Sequence, residues 1–143
     1  MRRFLRYWLP LLIWTAAVLT ASGPGLSSQH TGSFLSTFLA FILGHPVSEA
    51  SVHPMHVAIR KCAHLFEYGV LSALAFRAIR AEREGFDLSW AVAAMILTVA
   101  IAAGDEWHQT FVPGRTGTPW DVLLDGVGGL VAQGVVVLWN RRR

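Results

Sequence analysis

Four stretches of the chain are apolar over lengths that suit a membrane-crossing helix, and short polar, arginine-bearing connections separate them. They run from about Tyr7 to Ser22 ("YWLPLLIWTAAVLTAS"), Met55 to Ile79, Leu88 to Gly104 and Pro119 to Trp139. A bilayer core asks for about 20 mostly apolar residues per helix. The pattern therefore predicts an all-α membrane protein, a four-transmembrane-helix bundle forming a single domain over residues 1–143. The first stretch is slightly short, and its Pro10 stands near the start, where proline harms a helix least. Basic residues ahead of a short apolar run also fit a signal peptide, but "LTASG" lacks a good small-x-small cleavage site, so retention as a span is expected. Between the first two spans lies "SFLSTFLAFILG", in which Phe34, Leu35, Phe38, Leu39 and Ile42 recur at helical spacing. It is too short to cross and reads as a short interfacial helix in the first outer loop.

Composition strengthens this picture. Of the 143 residues, 53% are hydrophobic and only 15% charged, against about 25% charged in ordinary soluble domains. Mean hydropathy is +0.44. The net charge of +3 and the pI near 9.8 raise the question of nucleic acid. The arginines answer it: they form small clusters beside apolar runs and no phosphate-binding stripe, so nucleic acid is not an expected partner. The single cysteine, Cys62, excludes an intrachain disulfide and a multi-cysteine metal knuckle.

Charge also orients the bundle. Arg2, Arg3 and Arg6, then Arg77, Arg80 and Arg83, then Arg141, Arg142 and Arg143 all fall on one side of a four-span arrangement. On the other side only Arg115 sits in a loop, while Arg60 and Lys61 lie inside the second span. The positive-inside rule then places both termini in the cytoplasm. Trp8, Trp90 and Trp139 fall at the inner ends and Trp107 and Trp120 at the outer ends, as an aromatic belt would.

This topology gathers the polar residues of three spans near the outer leaflet. The second span carries "RKCAHLFEYG", in which Lys61, His64 and Tyr68 share one helical face with Glu67 beside His64. Glu67 lies roughly 18 Å below Met55 along the helix, close to mid-membrane. The third span ends in "GDEWHQTFVPGR", with Asp105, Glu106, His108, Gln109 and Arg115; the fourth opens with Asp121 and Asp125 one turn apart. A carboxylate at such depth costs several kcal/mol or more unless paired, protonated or wetted. Glu67, Asp105, Glu106, Asp121 and Asp125 outnumber Arg60, Lys61 and Arg115 by two charges. Protonation of His64 and His108 balances that excess, and so does one divalent cation held by oxygen ligands. The set reads as a functional pocket, with a hydrogen-bonded network that fixes helix register as the alternative. His30, His45, His53 and His56 fall in an outer polar loop at spacings that match no zinc pattern and read as solvated side chains. Gly126, Gly128 and Gly129, with Ala132, suit close helix packing.

The two charged blocks resemble the VanZ-like family of small bacterial membrane proteins. Arg60, Lys61, His64, Glu67 and Tyr68 match its Arg-Lys-x-x-His-x-x-Glu-Tyr block. Asp105, Glu106, His108, Gln109, Phe111, Pro113, Gly114, Arg115 and Asp121 match its second block, Asp-Glu-x-x-Gln with Phe-x-Pro-x-Arg and Asp-x-x-x-Asn. The resemblance covers roughly residues 55–135, and Asp125 stands where the family usually has asparagine. It implies a multi-pass protein of the bacterial cytoplasmic membrane and, from the family's founding member, an effect on susceptibility to the glycopeptide teicoplanin. It names no reaction.

Three functions are compatible with these residues. The first is an outward-facing polar pocket that engages membrane lipids, a cell-wall precursor or a lipoglycopeptide without chemistry. The second is a membrane-embedded enzyme, in which Glu67 or Asp105 with His64 or His108 does acid–base work on a lipid-linked phosphate, with or without a divalent metal; no nucleophile motif or phosphate-cradling glycine loop accompanies them. The third is transport, for which four spans offer no inverted repeat within one chain. The pattern sets no number of chains in the assembly.

Overall fold

A computed structural model describes residues 1–23, 28–113 and 115–141. Among them the chain is all-helical: α1 Arg2–Tyr7, α2 Leu9–Ala21, α3 Ser28–Leu43, α4 Glu49–Arg80, α5 Leu88–Gln109 and α6 Pro119–Arg141. Three of these are long and apolar enough to cross a membrane, within Ala50–Arg80, Leu88–Gln109 and Pro119–Asn140; α2 and α3 are apolar but shorter.

α1 and α2 are nearly one helix. Trp8 between them keeps right-handed helical angles, with its N–H on the Phe4 carbonyl and its own carbonyl accepting from Leu12. Pro10 has no N–H to give the Arg6 carbonyl, the partner four residues back. Arg77 takes that place, its Nη2 donating to the Arg6 carbonyl at 3.0 Å. The hydroxyls of α2 close on their own helix: Thr15 donates to the Leu11 carbonyl and Thr20 to that of Ala16.

α4, with 32 residues, extends about 48 Å and passes beyond the expected second span at its start. Ser48 caps it, its Oγ accepting from the Ser51 N–H at 3.2 Å, so His53 and His56 are helical rather than in a loop, and His56 is buried. His45 alone of the four histidines lies in a described loop; the His30 side chain, like Gly114, Arg142 and Arg143, lies outside the described residues. α5 begins at Asp87, whose carboxylate accepts from the Ser89 N–H at 2.8 Å, and runs five residues past the expected end at Gly104. Asp105, Glu106 and Gln109 therefore sit on a helix, not in a loop.

α4 packs most extensively against α6, then against α5, with α2 and α3 laid on α4. The core is made of small residues, among them Ala75, Ala78, Ala91, Ala94 and Ala102, around Tyr68, Leu71 and Phe76. Large apolar side chains such as Phe66, Ile96, Leu130, Val131 and Leu138 point outward. Small residues inside and large ones outside is what helices packed in lipid require, because close backbone approach, not water exclusion, drives their association. Gly69 and Gly128 mark the closest approach of α4 and α6, where a Cβ on Gly128 would collide with the Leu65 carbonyl.

The arginine clusters meet at one end of this bundle. Arg77 reaches Arg6, Arg3 pairs with Glu82 at 3.2 Å, and Arg80 Nη1 donates to Asn140 Oδ1 at 3.3 Å. The polar residues of α4, α5 and α6 meet towards the other.

Candidate functional site

The site is assembled from four helices and one loop. α4 contributes His64, Glu67 and Tyr68; α5 contributes Asp105, Glu106 and Gln109; α6 contributes Asp125; Ser22 follows α2; Thr118 and Arg115 come from the α5–α6 connection. Residues three and four apart share a helix face, so His64 with Tyr68 and Asp105 with Gln109 point into the same space.

Asp105 is the most heavily bonded acid. Its Oδ2 accepts from Ser22 Oγ at 2.7 Å, Gln109 Nε2 at 3.0 Å and Tyr68 Oη at 3.2 Å. Glu106 Oε1 accepts from Gln109 Nε2 at 3.2 Å, and its Oε2 accepts from the Thr118 backbone N–H at 2.9 Å. Gly117 makes the second contact possible, since a Cβ there would run into the Glu106 carbonyl. Asp125 Oδ1 lies 3.0 Å from His64 Nδ1. All three carboxylates are buried, with Asp125 wholly inaccessible. Two of their oxygens, Asp105 Oδ1 and Asp125 Oδ2, have no hydrogen-bond partner among the described residues.

Arg115 closes the end of the site. Its Nη2 donates to the Ala21 carbonyl at 2.9 Å and more weakly to that of Gly23 at 3.4 Å, covering carbonyls that the end of α2 leaves exposed. Burial holds its guanidinium below the ordinary arginine value, Arg60 adds to that, and Asp105, Glu106 and Glu67 oppose it. Glu67 is half-buried within electrostatic reach of His64, Asp105, Asp125 and Arg115, and its backbone carbonyl accepts from Trp14 Nε1 at 2.9 Å.

Two clefts lead to this cluster. One, of about 440 Å³, lies between α5 and α6; Ala103, Glu106, Trp107, Thr118, Pro119, Val122 and Leu123 line it, and its surface is almost wholly apolar. The other, of about 410 Å³, lies between α2 and α5, where Thr15, Leu19 and Ile101 lead to Asp105.

Of the residues singled out from the sequence, His64, Glu67, Tyr68, Asp105, Glu106, Gln109, Arg115 and Asp125 come together. Lys61 and His108 are exposed, and His108 lines the α2–α5 cleft beside Asp105. Arg60 is half-buried near His56 and Arg115, and Asp121 lies in the first turn of α6, half-buried and facing Glu106 electrostatically. Ser22 and Thr118 were not singled out. Ser22 is one hydroxyl among several at the end of an apolar stretch, and Thr118 acts through its backbone, which no side-chain pattern reveals. A second buried polar layer lies deeper, where Gln133 Nε2 donates to Ser72 Oγ at 2.8 Å and to the Ser72 carbonyl at 3.0 Å.

Neither the curated proteins nor the solved structures offer a match to this chain. The family model described as VanZ/LLP1 matches it over residues 7–140, which takes in every helix of the site. The chain belongs to the VanZ-like family.

Proposed function

We propose that this VanZ-like protein is a multi-pass protein of the bacterial cytoplasmic membrane that binds the donor-rich head group of an envelope amphiphile at the outer leaflet. In this reading α1 and α2 together make the fourth crossing, both termini are cytoplasmic, and α3 lies along the outer interface. The gathering of Arg3, Arg6, Arg77 and Arg80 at one end supports that orientation under the positive-inside rule.

The observation that carries the reading is the cleft between α5 and α6. Its surface is almost wholly apolar, and Glu106, a buried carboxylate, is among the residues that line it. Such a cleft suits a molecule with a hydrocarbon part and amine or hydroxyl donors, the chemistry of lipid head groups, cell-wall precursors and lipoglycopeptides. Exposed Trp107, Phe111 and Trp120 around it suit interfacial depth. Occupancy of the cleft by a lipoglycopeptide or a precursor would alter glycopeptide susceptibility without any reaction.

Purified protein in lipid nanodiscs, titrated separately with a lipoglycopeptide and with a lipid-linked cell-wall precursor, tests this through Trp fluorescence. Saturable quenching is expected for at least one, weakened tenfold or more by Glu106→Gln and altered by Trp107→Phe. No saturable signal with either probe in the folded wild-type protein overturns the reading.

A second reading rests on the 3.0 Å pairing of His64 with Asp125, a carboxylate-oriented imidazole of the kind used in acid–base catalysis on lipid-linked phosphates. Mass spectrometry of membrane lipids with and without the protein separates the two: altered head groups support the enzyme, and unchanged head groups remove it.

A further inference from the structure

The donors of the cluster are unevenly shared. Among the described residues Asp105 has three hydrogen bonds and Glu106 two, but Asp125, with no accessible surface, has only His64. Its Oδ2 has no partner among them. A buried carboxylate left half-satisfied in an apolar bundle is costly. Something that supplies positive charge to that oxygen would remove the cost.

The geometry points to a divalent cation site formed by His64, Glu106 and Asp125. One donor atom from each of these side chains lies within 4.8 Å of the others, so a single ion can touch all three after small side-chain rotations. His64 Nδ1 and Asp125 Oδ1, 3.0 Å apart, already have close to the spacing of two ligands on one small ion, which is about 3.3 Å for bonds near 2.0 Å. One imidazole nitrogen and two carboxylates favour a first-row transition ion such as Zn²⁺ or Mn²⁺ over Mg²⁺ or Ca²⁺, which prefer oxygen alone. Two carboxylates with neutral His64 also match the charge of such an ion, which gives the buried Asp125 carboxylate a counter-charge.

The surroundings suit a held ion. Gln109 Nε2 and the Thr118 N–H bond the Glu106 carboxylate and fix its direction, the role outer hydrogen bonds play around metal ligands. Three protein ligands leave positions open, as in sites where the ion also meets a small molecule. Glu106, one of the three ligands, borders the α5–α6 cleft. The site does not depend on the amphiphile reading, since the ion alone is the probe.

The test uses the full chain in detergent, purified without a histidine tag, stripped with chelator and titrated with Zn²⁺ or Mn²⁺ alone. We expect close to one equivalent bound by elemental analysis and a rise in thermal midpoint on adding metal. Asp125→Asn and Glu106→Gln should lower affinity tenfold or more, whereas His45→Ala, His53→Ala and His108→Ala should leave it unchanged. Co²⁺ in the wild type should give a visible spectrum with a nitrogen and oxygen donor set, a readout that stands even if the variants do not fold. No stoichiometric binding by the wild type, or binding that survives Asp125→Asn and disappears in the surface histidine variants, overturns the site.

Discussion

Ser22 and Asp105 are 83 residues apart in the chain, yet Ser22 Oγ donates to Asp105 Oδ2 at 2.7 Å. That bond ties the end of α2 to the last turn of α5. Tyr68 of α4 donates to the same oxygen at 3.2 Å, so one carboxylate atom holds three helices at the cluster end.

Removing that acceptor should be expensive. Asp105→Ala leaves Ser22, Tyr68 and Gln109 without it and is expected to cost about 2–4 kcal/mol, because stranding buried donors outweighs the modest gain from each bond. Asp105→Asn keeps an acceptor oxygen and should cost less, and Ser22→Ala about 1 kcal/mol. Reversible unfolding in mixed micelles measures all three. An unchanged Asp105→Ala would show that the three helices do not depend on this carboxylate.

The α4–α6 contact offers a sharper steric test. A Cβ at Gly128 meets the Leu65 carbonyl, whereas one at Gly134 meets nothing within 4 Å. Gly128→Ala should destabilise by about 1–3 kcal/mol. Gly134→Ala, on the same helix, should be neutral or stabilising by up to about 1 kcal/mol. Equal effects would contradict the packing.

Arg77 and Pro10 should be coupled. Arg77→Ala uncovers the Arg6 carbonyl only while Pro10 withholds an N–H; Pro10→Ala restores the helix's own donor. A double-mutant cycle should show Arg77→Ala costing less in the Pro10→Ala background, by about 0.5–1 kcal/mol. The cation–π contact of Arg77 with Tyr7 is lost in both backgrounds and cancels.

Asp87 gives a pH prediction outside the spans. Hydrogen bonds from Ser89, helped by Arg83, hold its carboxyl below the ordinary value of 3.8. A depressed folded pKa means the cap's contribution is fully present above the unfolded value and is lost as pH falls through the folded one. Asp87→Asn retains a cap without titrating. The thermal midpoint of the wild type should therefore fall towards that of Asp87→Asn as pH drops below about 4. A gap independent of pH would assign the cap no ionic part.

The helices long and apolar enough to cross a membrane were legible because lipid imposes a length and an apolar composition that a linear pattern displays, and α5 and α6 begin where that pattern begins. Their far ends were less legible. α5 continues through "DEWHQ", where hydropathy collapses but the hydrogen bonds of the helix do not. α4 begins at Ser48, a cap that lies among polar residues and carries no apolar signal. The first segment shows the same limit in reverse: its composition suits a span, while α2 alone is 13 residues and joins α1 into one run from Arg2 to Ala21 only because Trp8 stays helical.

By itself the sequence determined an all-helical membrane-type chain of the VanZ-like pattern, with acids and a histidine at helical spacing on three segments. It determined these because spacing along one helix follows from a fixed number of residues per turn. Tertiary structure alone decided which of those groups meet: His64 with Asp125, Asp105 with Ser22 and Tyr68, Glu106 with the Thr118 backbone, with Lys61 and His108 left exposed. The rotation of each helix about its axis settles such partnerships. That rotation is set by close contacts such as Gly128 on Leu65, and those exist only once the helices have packed.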